Sequence, residues 1–235
     1  MNLLLLGEKA LTAPDRARIT GRSLAHLRDI RHLAVGDAFP AGIVNGLQGS
    51  ARVLSLTTEQ AELALDCHQP PPPPLPLTLV LALPRPKMLR RVIQTVVAMG
   101  VKELVLINSV KVEKSYWQTP RLEGESLDEQ ITLGLEQAMD TRWPRITLER
   151  RFRPFVEDRL AQLAADSRRL IAHPGSEQPC PRALEEPVTL CVGPEGGFIP
   201  FEVDLIREQG FEPVHLGPRI LRVENAVPAL LARLF

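Results

Sequence analysis

The stretch at residues 191–202, CVGPEGGFIPFE, places three glycines and a glutamate directly after a hydrophobic run. That run, at 188–192, has the continuous apolar character of a buried strand, and a helix is expected at 200–209. Two interpretations of the glycines stand at this point. They form a strand-to-helix turn in which glycine supplies a positive φ, or a loop whose bare backbone lies close to a ligand.

Strands and helices alternate from residue 77 onwards. The segment LTLVLALP (77–84) predicts a buried strand, and Pro86 fits the first turn of a helix that ends at Gly100. Further strands are predicted at 103–108, 170–173, 188–192 and 213–216, and further helices at 127–139, 154–165 and 200–209. The alternation predicts an α/β fold, with a parallel sheet covered by helices on both faces. Ligands bind at the carboxyl ends of such strands, which favours a ligand loop for the glycine stretch.

The proline run PPPPPLP at 70–76 separates this region from a differently patterned one. Polyproline is a semi-rigid spacer, and this position favours a linker over the alternative of an SH3-type ligand. The predicted organisation is an N-terminal domain at 1–69, a linker at 70–76 and a C-terminal domain at 77–235.

The N-terminal domain is predicted to be a small β-barrel with one basic helix. Strands are expected at 38–44, 50–56 and 60–66, and Asn45-Gly46 is a strong hairpin signal. One face of the helix is apolar, which leaves three arginines largely on the other face. The apolar face is formed by Leu24, Leu27, Ile30 and Leu33, and the arginines are Arg22, Arg28 and Arg31.

The charges of the chain balance, with 28 basic and 28 acidic residues among 235, so net charge gives no signal for nucleic-acid binding. The distribution of the charges does give such a signal. Residues 9–31 hold six basic residues against two acidic ones, and residues 85–91 hold four more basic ones. Three cysteines without a CxxC pair indicate neither a disulfide framework nor a zinc site. The opening MNLLLLG lacks the features of a signal peptide or membrane span, so a soluble, cytoplasmic protein is expected.

The glycine stretch is not a known phosphate loop. No GK[ST] follows it, and its spacing differs from GxGxxG. Glu195 would also repel a phosphate, so a cationic or hydroxyl-bearing ligand is expected. S-adenosylmethionine meets this description, because it carries a sulfonium, a ribose diol and an adenine edge that backbone groups can bind.

A second unusual stretch, LGPRILRVENA, lies at 216–226. The chain is expected to leave a strand at Leu216, turn at Gly217-Pro218 and begin its last helix near Asn225. Asn225 is a good helix N-cap, with Pro228 then in the first turn. This structural role is weighed against a catalytic one.

Taken in order, GPEGGF (193–198) and LGPRILR-x-E-x-A (216–226) resemble the small-subunit ribosomal RNA (uracil-N3) methyltransferases, the RsmE family of the SPOUT class. HLRDIRHLAVGD (26–37) and LEQA (135–138) extend the resemblance over most of the chain. The resemblance implies a SPOUT-type parallel sheet with a C-terminal trefoil knot, and a PUA-like N-terminal barrel that binds RNA. It also implies a homodimer, no metal, and methylation of uracil N3 in 16S ribosomal RNA by S-adenosylmethionine.

In such a protein the knot itself is the cofactor pocket. The candidate cofactor-binding residues are Gly193, Pro194, Glu195, Gly196, Gly197, Leu216, Gly217, Ile220 and Leu221. Ile220 and Leu221 have a plain core role as the alternative. The candidate RNA-binding residues are Arg22, Arg28, Arg31, Lys87 and Arg90, each with a solvated surface role as the alternative.

The candidate catalytic residues follow the second stretch. Arg222 is expected to stabilise the uracil oxygens or the imide anion that forms, and the alternative is a salt bridge to Glu224. Glu195 and Glu224 are candidates for the general base or for a ribose ligand. Asn225 completes the catalytic set.

Several positions depart from the family pattern, and they keep rival functions open. The chain reads RVEN at 222–225 where the family usually has RTET, and AMGV at 98–101 where it has ELGV. A non-catalytic RNA-binding ribosome-assembly factor is the main rival, and a SPOUT enzyme acting on transfer RNA is the second. A nucleotide-dependent dehydrogenase fits the α/β pattern but lacks the fingerprint turn.

Overall fold

The computed structural model describes residues 2–235, and their contacts divide the chain into two compact units. The first unit comprises the chain up to Pro73 together with Thr132–Trp143. The second comprises Pro74–Ile131 and Pro144–Phe235. The assignment of Thr132–Trp143 to the first unit rests on long-range contacts, which the local sequence pattern does not reveal.

The first unit is built on a six-stranded sheet in the order β1-β4-β5-β6-β3-β2. Its strands are β1 (Leu4–Leu6), β2 (Leu11–Ala13), β3 (Arg16–Ile19), β4 (Ala38–Ile43), β5 (Gln48–Leu56) and β6 (Ala61–Gln69). Strands β1 and β4 are parallel, and the other neighbours are antiparallel. Asn45 has φ +56° in the turn between β4 and β5, as the predicted hairpin requires. Because β1 and β2 are its two edges among residues 2–235, the sheet is a half-barrel.

The helical segment of this unit is shorter and less regular than expected. It consists of α1 (Gly21–Ala25) followed by a π-helical turn at His26–Ile30, and a 3-10 turn lies at Glu8–Ala10. Leu24 and Leu27 are buried as predicted, but Ile30 is 68% exposed, so its place on the apolar face is wrong. The wider π turn advances less per residue, which rotates Ile30 away from the core.

The second unit is built on a seven-stranded parallel sheet in the order β11-β13-β10-β12-β7-β8-β9. Its strands are β7 (Leu77–Ala82), β8 (Glu103–Ile107), β9 (Arg145–Glu149), β10 (Arg168–Ala172), β11 (Gln178–Pro179), β12 (Val188–Val192) and β13 (Glu212–His215). The predicted parallel sheet is therefore confirmed. Strand β12 lies at its centre between β10 and β7, and all five of its residues are buried.

The helices that connect these strands follow the predicted order. They are α2 (Pro86–Ala98), α3 (Gly124–Ala138), α4 (Phe152–Phe155), α5 (Ala161–Leu163), α6 (Pro200–Glu208) and α7 (Val223–Leu234). A π-helical turn at Val156–Leu160 joins α4 to α5, and 3-10 turns lie at Lys114–Gln118 and Pro120–Leu122. None of the helices within residues 2–235 combines the length and the apolar character needed to span a bilayer.

The last helix begins earlier than the sequence indicates. Its N-cap is Arg222, whose carbonyl oxygen accepts from the N–H groups of Asn225 (2.9 Å) and Ala226 (2.7 Å). The prediction of Asn225 as N-cap is therefore wrong, because Asn225 is the third residue of α7. Pro228 lies inside the helix instead of in its first turn, and it cannot donate a hydrogen bond to the preceding turn.

Candidate active site

A cavity of about 370 Å³ opens in the second unit where β10, β12 and β13 end. Its walls come from the loops after these three strands and from the start of α7. All nine candidate cofactor-binding residues line it, from Gly193 to Gly197 on one side and from Leu216 to Leu221 on the other. The structure therefore brings together two stretches that lie about twenty residues apart in the sequence.

Each glycine of the loop at 193–197 is required for a different physical reason. A Cβ on Gly193 would lie 2.9 Å from the backbone nitrogen of Phe198, so this position requires glycine for close packing. Gly197 has φ +69° and donates its N–H to the Pro194 carbonyl (2.8 Å), which closes a tight turn. Neither reason involves a ligand, so the loop is shaped by its own fold before any ligand binds.

Two neighbouring loops hold the glycine loop in place. The Lys111 ammonium, in the loop after β8, donates to the Gly196 carbonyl at 2.6 Å, and a Cβ on Gly196 would lie 2.8 Å from Lys111 Cδ. The Arg85 N–H, at the N-cap of α2, donates to Glu195 Oε1 at 3.0 Å. The Glu195 carboxylate is thus engaged with the protein through one oxygen.

Glu202 is a buried anchor of this site that the sequence analysis missed. Its side chain accepts from the Val110 N–H (2.8 Å) through Oε1 and from the Ile199 N–H (3.0 Å) through Oε2. The Ser109 hydroxyl lies 3.4 Å from Oε2. Glu202 is only 1% exposed, so it joins the loop after β8 to the start of α6 from inside the unit. The only sequence signal is a glutamate at the third position of a helix, as in a capping box.

The opposite wall of the cavity combines a glycine turn with exposed apolar side chains. Gly217 has φ +119° and donates its N–H to His215 Nδ1 at 2.9 Å. Ile220 is 82% exposed and Leu221 is 42% exposed, so the core role considered for them is wrong. Their exposed side chains offer apolar contacts to a ligand in the cavity.

The third wall, at the end of β10, was also not predicted. Ala172, His173 and Pro174 line the cavity beside the glycine loop. Burial lowers the pKa of His173, which favours its neutral form. Since β10 is the direct neighbour of β12 in the parallel sheet, its carboxyl end has to meet the same edge, and this order is not readable from the sequence.

The three candidate catalytic residues lie next to the cavity and are not part of its lining. Arg222 is exposed, and within residues 2–235 its side chain has no ion pair, so the alternative salt bridge to Glu224 does not form. Glu224 is partly exposed and Asn225 is exposed, both in the first turn of α7. Arg222 directly follows the lining residue Leu221.

Two of the candidate RNA-binding arginines of the first unit are engaged with carboxylates. Arg22 donates to both side-chain oxygens of Glu136 at 3.1 Å. Burial raises the pKa of Glu136, and the Arg22 charge opposes this shift. Arg28 donates to Asp29 at 2.6 Å and to the Thr58 carbonyl at 3.3 Å, whereas Arg31 is exposed.

The other two candidates for RNA binding belong to the second unit. Lys87 and Arg90 are both exposed on α2, and Arg90 Nε donates to Gln130 Oε1 at 3.3 Å. Among residues 2–235, no group of three or more histidine, cysteine, aspartate and glutamate side chains is arranged to hold a metal ion.

The contact between Lys111 and Gly196 leads to a first prediction. Replacing Lys111 by methionine keeps the packing of the aliphatic stem but removes the 2.6 Å hydrogen bond to the loop. We expect the loop to lose order and the dissociation constant of an S-adenosylmethionine ligand to rise about tenfold, the equivalent of one charged hydrogen bond. Isothermal titration calorimetry measures this constant. Lys114→Met, at an exposed lysine three residues further along the chain, is the matched control and should bind as the wild type does.

Comparison with known proteins places the site among enzymes that act on RNA. The family model described as an RNA methyltransferase domain matches residues 71–235. The chain is 32% identical over 223 residues to ribosomal RNA small subunit methyltransferase E of Treponema pallidum, covering 88% of this chain and 80% of that one.

Two solved structures share the fold. The ribosomal RNA small subunit methyltransferase E of Neisseria gonorrhoeae, bound to S-adenosylmethionine, matches with a TM-score of 0.75 at 21% identity over 99% of this chain and 95% of that one. A protein from Legionella pneumophila in complex with the same cofactor matches with a TM-score of 0.74 at 20% identity, over 98% of this chain and 95% of that one. At these identities the two matches establish the fold that surrounds the cavity.

Proposed function

Because the chain belongs to the family of RNA methyltransferase domains, as its sequence predicted, we propose that it methylates uracil N3 in 16S ribosomal RNA with S-adenosylmethionine as donor. The observation that carries this proposal is the cavity at the end of β12, which all nine candidate cofactor-binding residues line. The ribosomal substrate follows from the 32% identical relative.

The residues of the cavity fit S-adenosylmethionine. A volume of about 370 Å³ lies within the range of small-molecule sites. The walls offer backbone groups at Gly193–Gly197 and Leu216–Gly217 for adenine and ribose, and Ile220 and Leu221 for apolar contact. The bound cofactor supplies a methyl group on a sulfonium. Glu195, which lines the cavity, retains one carboxylate oxygen beyond its bond to Arg85 for the ribose hydroxyls.

The residues of the chain have two tasks, which are to orient the uracil and to remove the proton from its N3 atom. The imide proton has to leave before N3 can attack, and the anion is neutralised as the methyl group arrives, so alignment in a water-poor site supplies much of the rate. We propose that Arg222 holds the uracil oxygens and the anion, and its exposed guanidinium, which has no ion pair within residues 2–235, supports this role. Glu224 and Asn225 follow in the same helical turn, with Glu224 as the candidate base.

We further propose that the C-terminal tail threads the segment between β10 and β12 as a trefoil knot. Three hydrogen bonds between that segment and the end of α7 support this. The Leu184 N–H donates to the Leu234 carbonyl (2.6 Å), the Ala183 N–H to the Arg233 carbonyl (3.3 Å), and Arg233 Nε to the Cys180 carbonyl (2.6 Å). The chain thus returns to a loop formed upstream after it has built the cavity wall.

The half-barrel of the first unit supports an RNA-binding role of the PUA-like kind. We propose residues 1–69 as this domain, 70–76 as the linker and 77–235 as the methyltransferase domain. Uracil N3 is hidden in a base pair, so the target is expected to be unpaired or extruded, with the flanking RNA held by phosphate contacts. A cytoplasmic homodimer completes the proposal.

The proposed activity is tested by incubating the protein and S-adenosylmethionine with small ribosomal subunits from a strain in which its gene is deleted. Nucleoside mass spectrometry should then detect new 3-methyluridine in 16S ribosomal RNA. Methylation of a different nucleoside, or of transfer RNA alone, contradicts the substrate. Binding to the subunit without cofactor binding or methyl transfer would favour the ribosome-assembly factor.

The basic helix of the first unit leads to a second prediction. Replacing Arg28 and Arg31 together by alanine should weaken RNA binding several-fold and reduce its dependence on salt, because two phosphate contacts are lost. The exposed pair Arg182 and Arg207 in the second unit gives a control variant with the same charge change, and it should keep the wild-type salt slope. Affinity for a 16S fragment, measured by filter binding at several salt concentrations, decides the outcome. An unchanged slope in the Arg28 and Arg31 variant excludes these residues from the RNA contact.

A further inference from the structure

A second cavity, of about 470 Å³, lies within the first unit and is separate from the proposed cofactor site. It is lined by Leu5, Gly7, Val44, Asn45, Thr132 and Trp143. The lining thus combines two aliphatic side chains, one glycine with open space where a Cβ would lie, one threonine, one carboxamide and one indole. A slot of this composition has the chemistry that receives a planar ring with polar edges.

The indole of Trp143 distinguishes this cavity. The chain has two tryptophans, and the other one, Trp117, is 7% exposed with its Nε1 donating to Asn108 Oδ1 at 2.9 Å. Trp143 is only half-buried, and its Nε1 has no hydrogen-bond partner within residues 2–235. A large ring left at a cavity wall in this way offers a face for stacking.

Asn45 supplies the polar edge of the slot. Its φ of +56° is held by its own N–H, which donates to the Thr141 carbonyl at 2.8 Å, and by its Oδ1, which accepts from the Trp143 N–H at 2.8 Å. The carboxamide oxygen is therefore used within the protein. The Nδ2 donors have no partner in the part of the chain that the structure describes, and they suit the carbonyl or ring-nitrogen acceptors of a nucleobase.

The surroundings of the slot suit a polyanion. Lys9 is exposed two residues after Gly7 and forms no ion pair among residues 2–235, although Glu8 lies beside it. Residues 9–31 of this unit carry six basic residues against two acidic ones, and four of the six form ion pairs with carboxylates, namely Arg16, Arg18, Arg22 and Arg28. The unpaired Lys9 near the lining residue Gly7 thus favours a nucleic-acid strand over a free apolar ligand.

We propose that this slot binds one unpaired nucleobase of the RNA, stacked on Trp143 and hydrogen-bonded by Asn45 Nδ2. The inference rests on the proposed RNA substrate and adds a base-binding subsite in the first unit. The site takes a base outside the methylated position, because none of its lining residues is shared with the proposed cofactor cavity. Any nucleobase can stack on an indole, so the site contributes more to affinity and to the positioning of the RNA than to sequence specificity.

The experiment titrates the full chain with a single-stranded oligouridylate and with an oligonucleotide of equal length that carries abasic sites. The uridylate should quench the tryptophan fluorescence, and the abasic strand should bind more weakly without quenching. Trp143→Leu should remove the quenching and weaken uridylate binding on the order of tenfold, with little effect on the abasic strand. Asn45→Ala should weaken uridylate binding less, while Trp143→Phe should retain most of the affinity.

Equal affinity of the wild type and Trp143→Leu for uridylate, or equal quenching by both strands, would overturn the proposal. If Trp143→Leu does not fold, the comparison of the uridylate and the abasic oligonucleotide on the wild-type protein still tests the proposal. The two proposals fail in different ways. Quenching without methyl transfer would contradict the proposed activity but not the base-binding slot. Methyl transfer without quenching would contradict only the slot.

Discussion

Arg222→Ala is expected to lower the rate of methyl transfer by about two orders of magnitude, which is typical for removing one group that stabilises a developing anion. The dissociation constant of S-adenosylmethionine should change little, because the Arg222 side chain does not line the cavity. The split between rate and cofactor affinity is the distinctive feature of this prediction. A residue that only shaped the pocket would change both.

Single-turnover methylation of small subunits and calorimetry with the cofactor measure the two quantities separately. Arg222→Lys keeps the positive charge but loses the planar fork, so we expect a partial loss of rate. Arg182→Ala replaces another exposed arginine of the same unit and should behave as the wild type does. A near-normal single-turnover rate in Arg222→Ala would remove Arg222 from the mechanism.

The central strands of the parallel sheet were predictable because burial on both faces leaves a continuous apolar run in the sequence. Strand β12 shows this most clearly, since its five residues are all buried and its predicted bounds agree with the structure. The same rule explains why the sequence did not predict strand β9, which is not buried on both faces. It lies at the edge of the sheet, and its residues Arg145–Glu149 are exposed or half-buried, so the apolar signal is absent.

The glycine loop was predicted by its composition, but the groups that hold it were not. Lys111 and Glu202 lie 85 and 92 residues from the atoms to which they bind in the loops across the site. No local sequence pattern indicates that Lys111 will pack against Gly196, or that Glu202 will be only 1% exposed. Such contacts depend on which strands become neighbours, and the order of strands in a parallel sheet is a property of the whole unit.

The start of α7 shows the limit of local signals. Asn225 has a high preference for the N-cap position, and a proline three residues later fits a first turn. The structure instead begins the helix at Val223, which is 5% exposed and packs inside the unit. Burial of Val223 and Val227 on one face outweighs the preference of a single capping side chain, which is worth about 1 kcal/mol.

Glu202→Ala should have the largest effect on the integrity of the site. The substitution leaves the N–H groups of Val110 and Ile199, which are partly buried, without their acceptor. A hydrogen bond to a charged group contributes about 1.5–3 kcal/mol, so the loss of two amounts to several kcal/mol of local stability. Glu202→Gln keeps one carbonyl oxygen but turns an NH₂ group towards the second N–H, so an intermediate loss is expected.

Amide hydrogen exchange followed by mass spectrometry is the appropriate measurement, because a chain of two units need not unfold in one step. Exchange in peptides that contain Val110 and Ile199 should accelerate about a hundredfold or more in Glu202→Ala, while the strands of the first unit keep their protection. Glu208→Ala, at an exposed position on the same helix, is the control and should exchange as the wild type does. Unchanged protection at Val110 in Glu202→Ala would show that solvent or another side chain takes over the role of the carboxylate, and that the loop after β8 does not depend on α6.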